Sequence, residues 1–504
     1  MARWLAISVL VTCASLPGMP AECQTLTPSQ RAELATWYHT ASRRAPGDWG
    51  IAIANQRGEL LWSVEPTTSL IPASTVKLFT TGFARTVLGG AARRSTRVVG
   101  SGFIDPLSGE WMGSWALELN GDPSLENPSG AGPRLVDLTE QLAQLGIRRL
   151  SGPLQVRSAN GPALATYPTA WSHRHWGRLF APLIGALTIH ENVVYFTIQP
   201  GPRVGRPPEL IAAAPEGVGS LVIMRARTVS GRRSRLSLSA SGNGGWVVNG
   251  TIGVSARPRG FSAVASDPKA VLARAWASAL QHAGIEWNEN PHPNSILPGP
   301  IMTTLAEVTS PVLDSVASEV NRRSLNLGAE LLLRWAAGEQ GPALMTEHVR
   351  LVAGTADGLR LVDGSGLSND DRASPLTFVN YLARIPTTPG GRNFPLLLPA
   401  NGVGTLRHLN RGLGQGVVRA KTGTLGQVSN VTGYLGRPDG VLIVSVMYNG
   451  GRPSTARLLQ WKLFQLLGAD GAAIPEDILT PDAQLGGSDE SAAATPAIPA
   501  DSSK

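Results

Sequence analysis

The pattern of apolar and polar positions divides the chain into a front, a middle and a back. At the front, Ile51-Ala52-Ile53-Ala54, the polar turn Asn55-Gln56-Arg57-Gly58 and Leu60-Leu61-Trp62 read as a β-hairpin. An amphipathic helix over residues 27–44 precedes it, with Leu34, Trp37 and Tyr38 among its apolar positions. A second helix follows over 73–88, opened by Pro72 and stopped by Gly89-Gly90. From about 96 to 300 the text changes to short strand-like runs (97–99, 115–119, 193–198, 221–224, 235–238) broken by Gly and Pro turns, with one helix over 270–283. That stretch predicts one or two β-rich modules. Helical periodicity returns over 308–321 and 326–337. Three strands (417–422, 428–435, 441–448) and a helix over 453–467 complete the pattern. The expected architecture is α+β, with residues 22–95 and 301–470 building one domain and residues 96–300 inserted in it.

The two ends read differently. Met1-Ala2-Arg3, an apolar run over 4–16 and Pro17-Gly18 form a secretory signal pattern, too short to span a bilayer, with cleavage expected after Ala21. The protein is therefore expected outside the cytoplasm, in a periplasm or its equivalent. Removal of residues 1–21 takes Cys13 and leaves Cys23, so neither an intrachain disulfide nor a cysteine metal site is expected. Residues 471–504 hold no aromatic residue and are rich in Ala, Pro, Asp and Ser, which predicts a disordered tail.

Composition narrows the class. With 42% hydrophobic and 16% charged residues among 504, the chain is too apolar for a disordered protein, and its 57 glycines and 38 prolines show no Gly-X-Y period. Net charge is +8, and the tail carries six acids against Lys504, which leaves +13 on the rest. So basic a body favours an anionic partner: nucleic acid, membrane surface or cell-wall polymer. Of 44 cationic residues only five are lysine: Lys77, Lys269, Lys421, Lys462 and Lys504. Arg serves wherever a solvated charge suffices; a retained Lys is a candidate for chemistry that needs a side chain able to lose its proton.

Lys77 stands in Ser74-Thr75-Val76-Lys77, at the start of a helix. Three residues apart, hydroxyl and amine share one face, beside the positive end of the helix. Val76, Leu78 and Phe79 predict partial desolvation of Lys77, which lowers an amine's pKa. The same spacing in Ser266-Asp267-Pro268-Lys269 reads as an ordinary helix cap, with Ser266 capping and Pro268 in the first turn. Two further pieces separate them. Lys421-Thr422-Gly423-Thr424 ends a strand, where side chains edge a cleft and Gly423 permits a close approach. Ser324-Leu325-Asn326, between two helices, offers a hydroxyl and an amide.

In this order, S-x-x-K, S-x-N and K-T-G resemble the signature of the penicillin-recognising serine hydrolases. The long insertion between the first two motifs resembles the D-alanyl-D-alanine carboxypeptidase/endopeptidases related to penicillin-binding protein 4. So do Leu70-Ile71-Pro72-Ala73-Ser74-Thr75, Gly121-Asp122-Pro123-Ser124-Leu125, Asp363-Gly364-Ser365-Gly366-Leu367-Ser368 and Arg419-Ala420-Lys421-Thr422-Gly423-Thr424-Leu425. The resemblance spans roughly residues 30–468. It implies a transpeptidase-like domain, an antiparallel sheet flanked by helices, with β-rich modules between the S-x-x-K and S-x-N motifs. It also implies Ser74 as acylated nucleophile, Lys77 as general base, Ser324 as proton relay and Asn326 as holder of the substrate amide. Lys421 would complete the proton network, Thr422 would bind a carboxylate, and the backbone N–H groups of Ser74 and Thr424 would form an oxyanion hole. Asp363 to Ser368 would support the rim. Asn369 and Gly426 depart from residues common in relatives, which bears on recognition of the stem-peptide side chain.

The implied partners are peptidoglycan stem peptides, β-lactams as covalent inhibitors and an anionic wall or membrane surface, with no nucleic acid, cofactor or metal. H-E-x-x-H and G-x-x-x-x-G-K are absent from the sequence. Two rivals remain at this point: a β-lactamase of the same fold, against which the lack of an E-x-x-L-N segment counts, and a wall-binding scaffold of weak activity. Carboxypeptidase and endopeptidase preference stay open.

Overall fold

The two ends of the chain meet in one five-stranded antiparallel sheet. Its order is Val418–Leu425, Val428–Arg437, Gly440–Asn449, Asp48–Ala54 and Leu60–Val64. The computed structural model describes residues 25–159, 163–290, 292, 302–355, 357–409 and 412–474. The expected signal over 1–21, Cys13 and Cys23 lie outside the described residues, as does the tail from 475 onward.

Alternation along the strands divides the sheet's two faces. Ile51 and Ile53 pair with Val446 and Val444 and face a core shared with Leu34, Trp37, Leu459 and Leu463. These come from the helices Pro28–Arg44 and Pro453–Leu467, which cover that face. Ala52 and Ala54 point the other way, with Ile443 and Met447, into a core built by Val76–Leu88, Leu313–Arg323, Asn326–Ala337, Gly341–Ala353 and Pro375–Arg384. The first helix begins in a capping box: Thr27 Oγ1 accepts from Gln30 N at 3.2 Å and Gln30 Oε1 from Thr27 N at 3.0 Å.

The middle of the chain has its own core. Val98, Trp115, Leu150, Phe196, Trp246 and Trp276 belong to it, with strands of three separate sheets around them. It also carries a helix that the pattern did not show, Leu135–Gln144, packed beside Pro268–His282.

Three expectations change. Val308 and Thr309 are not helical: they end the strand Thr303–Thr309, which pairs with Ser95–Ile104. Pro311 has no N–H to give, and the helix starts at Leu313. The insertion's closing strand therefore lies past residue 300. At the decoy, the cap is Asp267, accepting from Lys269 N and Ala270 N, and not Ser266. The tail does not begin at Gly471. Ala472 N donates to Gly436 O, Ile474 N to Gly416 O, and the Ile474 side chain is 2% exposed in the core. Deleting residues 475–504 should leave the melting temperature nearly unchanged, whereas deleting from 471 removes a buried isoleucine that contributes about 1.5–3 kcal/mol. Thermal unfolding of the two truncations checks this; equal stability would mean that Ile474 contributes nothing.

Candidate active site

Ser74 sits in the turn Ala73–Thr75 that feeds the helix Val76–Leu88. Ala73 takes φ +49°, a conformation disfavoured for any residue with a Cβ and found where a site stores strain. The turn is clasped from several sides. Asn449 Oδ1 accepts from Ile71 N at 2.8 Å, and Asn430 Nδ2 donates to Pro72 O at 2.7 Å. A Cβ on Gly423 would lie 2.5 Å from Pro72 O, and one on Gly366 would run into the Ala73 carbonyl. The close approach that Gly423 permits is to the turn that carries Ser74. Only glycine at 423 lets the edge strand lie against it.

Lys77 is fully buried, where the sequence predicted partial desolvation. Its Nζ lies 2.6 Å from Asn326 Oδ1, 2.6 Å from Ser365 O and 3.0 Å from Ser74 Oγ. The amide and carbonyl oxygens only accept. A neutral amine therefore directs its two N–H bonds to them and turns its lone pair to the Ser74 hydroxyl, the one neighbour able to donate. Burial pulls the Lys77 ammonium down to about 7, against the opposing charges of Asp363, Glu330 and Asp371. A substantial neutral fraction at physiological pH follows.

Ser324 ends the helix Leu313–Arg323 with φ +59°, and Asn326 opens the next helix, so a strained turn holds the S-x-N motif. Lys421 Nζ donates to Ser324 Oγ at 2.9 Å and to Thr422 O at 2.8 Å. Lys421 too is fully buried. Burial first, then the charges of Lys77 and Arg457, pull its ammonium well below the usual lysine range. Thr422 and Gly423 are buried on the same edge strand, and Thr424 is exposed beyond them. The three motifs, whose contacts bridge 249 and 97 residues of chain, thus form one cluster. Lys269 and Lys462 are exposed and away from it. Asn369 and Gly426 are also exposed.

The loop 363–368 acts from behind. Asp363 accepts from the backbone N–H groups of Ser365, Gly366 and Ser368, which shapes the loop so that Ser365 O meets Lys77. Several partners were not singled out from the sequence. Arg457 donates to Gly423 O and Asn430 O at 2.8 Å each and to Thr424 Oγ1 at 2.9 Å, bracing the edge strand from below. Glu330 lies four residues after Asn326, a spacing that places both on one helix face; a lone acid in Leu-Gly-Ala-Glu-Leu-Leu-Leu was the legible signal. The insertion also reaches the site: Asn326 Nδ2 donates to Phe180 O at 2.8 Å, and Arg323 pairs with Glu191 at 2.8 Å. Residues 96–300 are therefore not wholly outside the catalytic machinery. Among the described residues no group of three or more His, Cys, Asp and Glu side chains is placed to hold a metal ion.

A serine on a helix start, a buried lysine against its hydroxyl and a second lysine on the edge of an antiparallel sheet define a penicillin-recognising serine hydrolase. The chain belongs to the D-Ala-D-Ala carboxypeptidase 3 (S13) family, whose model matches residues 38–466, and is an enzyme of the serine-type DD-carboxypeptidase class. It is 26% identical over 438 residues to a D-alanyl-D-alanine carboxypeptidase of Actinomadura sp., covering 79% of this chain and 77% of that one. It is 28% identical over 416 residues to a carboxypeptidase of Mycobacterium tuberculosis, covering 79% and 75%. The fold is that of penicillin binding protein 4 from Haemophilus influenzae, with a TM-score of 0.66, 20% identity, and 85% of this chain and 99% of that one covered.

Proposed function

We propose that the protein is an exported D-alanyl-D-alanine carboxypeptidase that cleaves peptidoglycan stem peptides, and their cross-links, through an acyl-enzyme on Ser74. The observation that carries this reading is the 3.0 Å contact between Ser74 Oγ and the buried Lys77 Nζ, whose two other partners are acceptors. Ser74 Oγ attacks the carbonyl between two D-alanines while Lys77 takes its proton. The N–H groups of Ser74 and Thr424 stabilise the oxyanion, and Asn326 holds the substrate amide. Ser324, hydrogen-bonded to Lys421, passes a proton to the leaving amine, and Thr422 binds the terminal carboxylate. Water then frees the enzyme. Penicillins acylate Ser74 by the same attack. The signal pattern over 1–21 supports export, and the +13 body suits an anionic wall or membrane surface.

Incubation with a fluorescent penicillin, followed by digestion and mass spectrometry, tests the reading. A persistent adduct on Ser74, with release of D-alanine from a pentapeptide, is expected. Rapid turnover of the drug would indicate a β-lactamase, and absence of any adduct would leave only a scaffold.

A further inference from the structure

Residues 200–260, within the insertion, hold nine arginines against two acids, Glu209 and Glu216, with no lysine or aspartate. That is +7, nearly the whole of the chain's +8. All nine arginines are exposed. The two acids face other partners: Glu209 accepts from Gln199 Nε2 at 2.9 Å, and Glu216 lies 3.5 Å from His282. Among the described residues no carboxylate forms an ion pair with any of the nine. A solvated surface ordinarily intersperses both signs. This one does not.

The fold gathers these charges. Val222–Met224, Arg227–Val229, Ser234–Ala240 and Trp246–Gly253 form one sheet. Its inner face is apolar, where Met224, Leu236 and Val248 pack with Ala226 and Ile198. Register fixes the outer face. Arg227 and Arg235 both pair with Thr251, from opposite sides, so they stand in one row across three strands. Ser237 pairs with Asn249 in the next row, and no acid stands on these strands. Three loops meet at one end of the sheet. Gly205 N donates to Thr228 O at 2.9 Å, Val254 N to Val229 O at 2.8 Å and Ser255 N to Gly231 O at 3.0 Å. These bonds bring the loops of Arg206, of Arg232 and Arg233, and of Arg257 together beside that row.

Apolar side chains stand among the cations. Val204 is 56% exposed, Val254 36% and Ile223 47%. Ile223 pairs with Val247, which alternation puts on the outer face with Asn249 and Thr251. A phosphate-bearing polymer in water gives such side chains nothing to bury against, and a second copy would set like charge against like. A bilayer surface supplies both needs: headgroup phosphates that guanidinium groups bind bidentately, and a boundary where valine and isoleucine leave water. We propose that this outer face and its loop end dock on an anionic phospholipid surface and hold the enzyme against the membrane. The proposal deepens the functional reading above, resting on its export and not on the chemistry of Ser74.

Sedimentation of the full chain with vesicles is the test. Vesicles of phosphatidylcholine with about a third phosphatidylglycerol should carry the protein down, and vesicles of phosphatidylcholine alone should not. An arginine near such a surface contributes roughly fivefold in affinity, so Arg232→Gln, Arg233→Gln and Arg257→Gln combined should weaken binding about a hundredfold. Val204→Ser with Val254→Ser should also weaken it. Both variants should be acylated by penicillin at the wild-type rate, since these exposed side chains lie outside the Ser74 cluster. Raising salt from about 0.1 M to about 1 M shortens the screening length from about 10 Å to about 3 Å and should release the wild-type protein, a readout that needs no variant. No sedimentation, equal sedimentation with both vesicles, or binding indifferent to salt and to the arginine variant overturns the proposal. Binding to soluble polyphosphate as tight as to vesicles, and unchanged by the serine pair, would make a wall polymer the partner and overturn it too. So would a full chain that stays in solution while one ending at residue 474 sediments, because the acidic tail would then be the occupant. Vesicle binding as expected, with no penicillin adduct, would overturn the reading of Ser74 and leave this proposal supported.

Discussion

Lys77→Arg should lower acylation of Ser74 by at least about 10²–10⁴-fold, the range that general-base assistance supplies. Arginine stays protonated, so no lone pair turns to the Ser74 hydroxyl. The structure sharpens this expectation. Lys77 is fully buried, with two of its three contacts fixed on acceptors, and its ammonium sits at about 7. A guanidinium there brings a permanent buried charge and more volume than the slot holds. Lys77→Met fills the slot without the charge and separates the two effects: it should be as inactive as the Arg variant with less loss of melting temperature. Pre-steady-state penicillin acylation measures the rates. Wild-type rates in either variant would remove Lys77 as the base.

Lys421→Arg should cost less, about 10–150-fold in acylation, the equivalent of one charged hydrogen bond of about 1.5–3 kcal/mol acting in the transition state. Lys421 is fully buried, and burial first lowers its ammonium well below the usual lysine range. What Arg spoils is the pair of contacts to Ser324 Oγ and Thr422 O, and with them the proton path proposed through Ser324. Lys269→Arg is the control. Its side chain is exposed, and the helix start it occupies is capped through its backbone N–H by Asp267, so the rate should stay within roughly twofold of wild type. An order of damage other than Lys77, then Lys421, then Lys269 would show that the cluster works differently. Equal losses at 421 and 269 would mean that both act only through stability.

The sequence by itself determined the family, the enzyme class and most of the elements. The scarcity of lysine left five to consider, and the S-x-x-K and K-T-G motifs separated the buried Lys77 and Lys421 from the exposed Lys269 and Lys462. The hairpin at 48–64 and the strands at 418–449 were legible because a sheet covered by helices on both faces needs apolar runs at every strand, and chain order did not hide them. The helices 326–337 and 453–467 announced themselves through period and flanking Pro or Gly. What failed was local: residues 308–309 read as the start of the helix that follows, but Val308 and Thr309 are β-branched and pair as a strand with Ser95–Ile104, an edge that no local pattern reveals. The tertiary structure alone decided the rest. Asp371, Arg457, Asn430 and the Phe180 carbonyl join the site from other segments, Glu330 joins it from the helix that Asn326 opens, and none carries a motif. Their meaning is set by burial and by what lies across the cleft, quantities that belong to packing. A carboxylate is a solvated charge on an exposed helix and a buried acceptor for a backbone N–H where Glu330 stands, and only the fold says which.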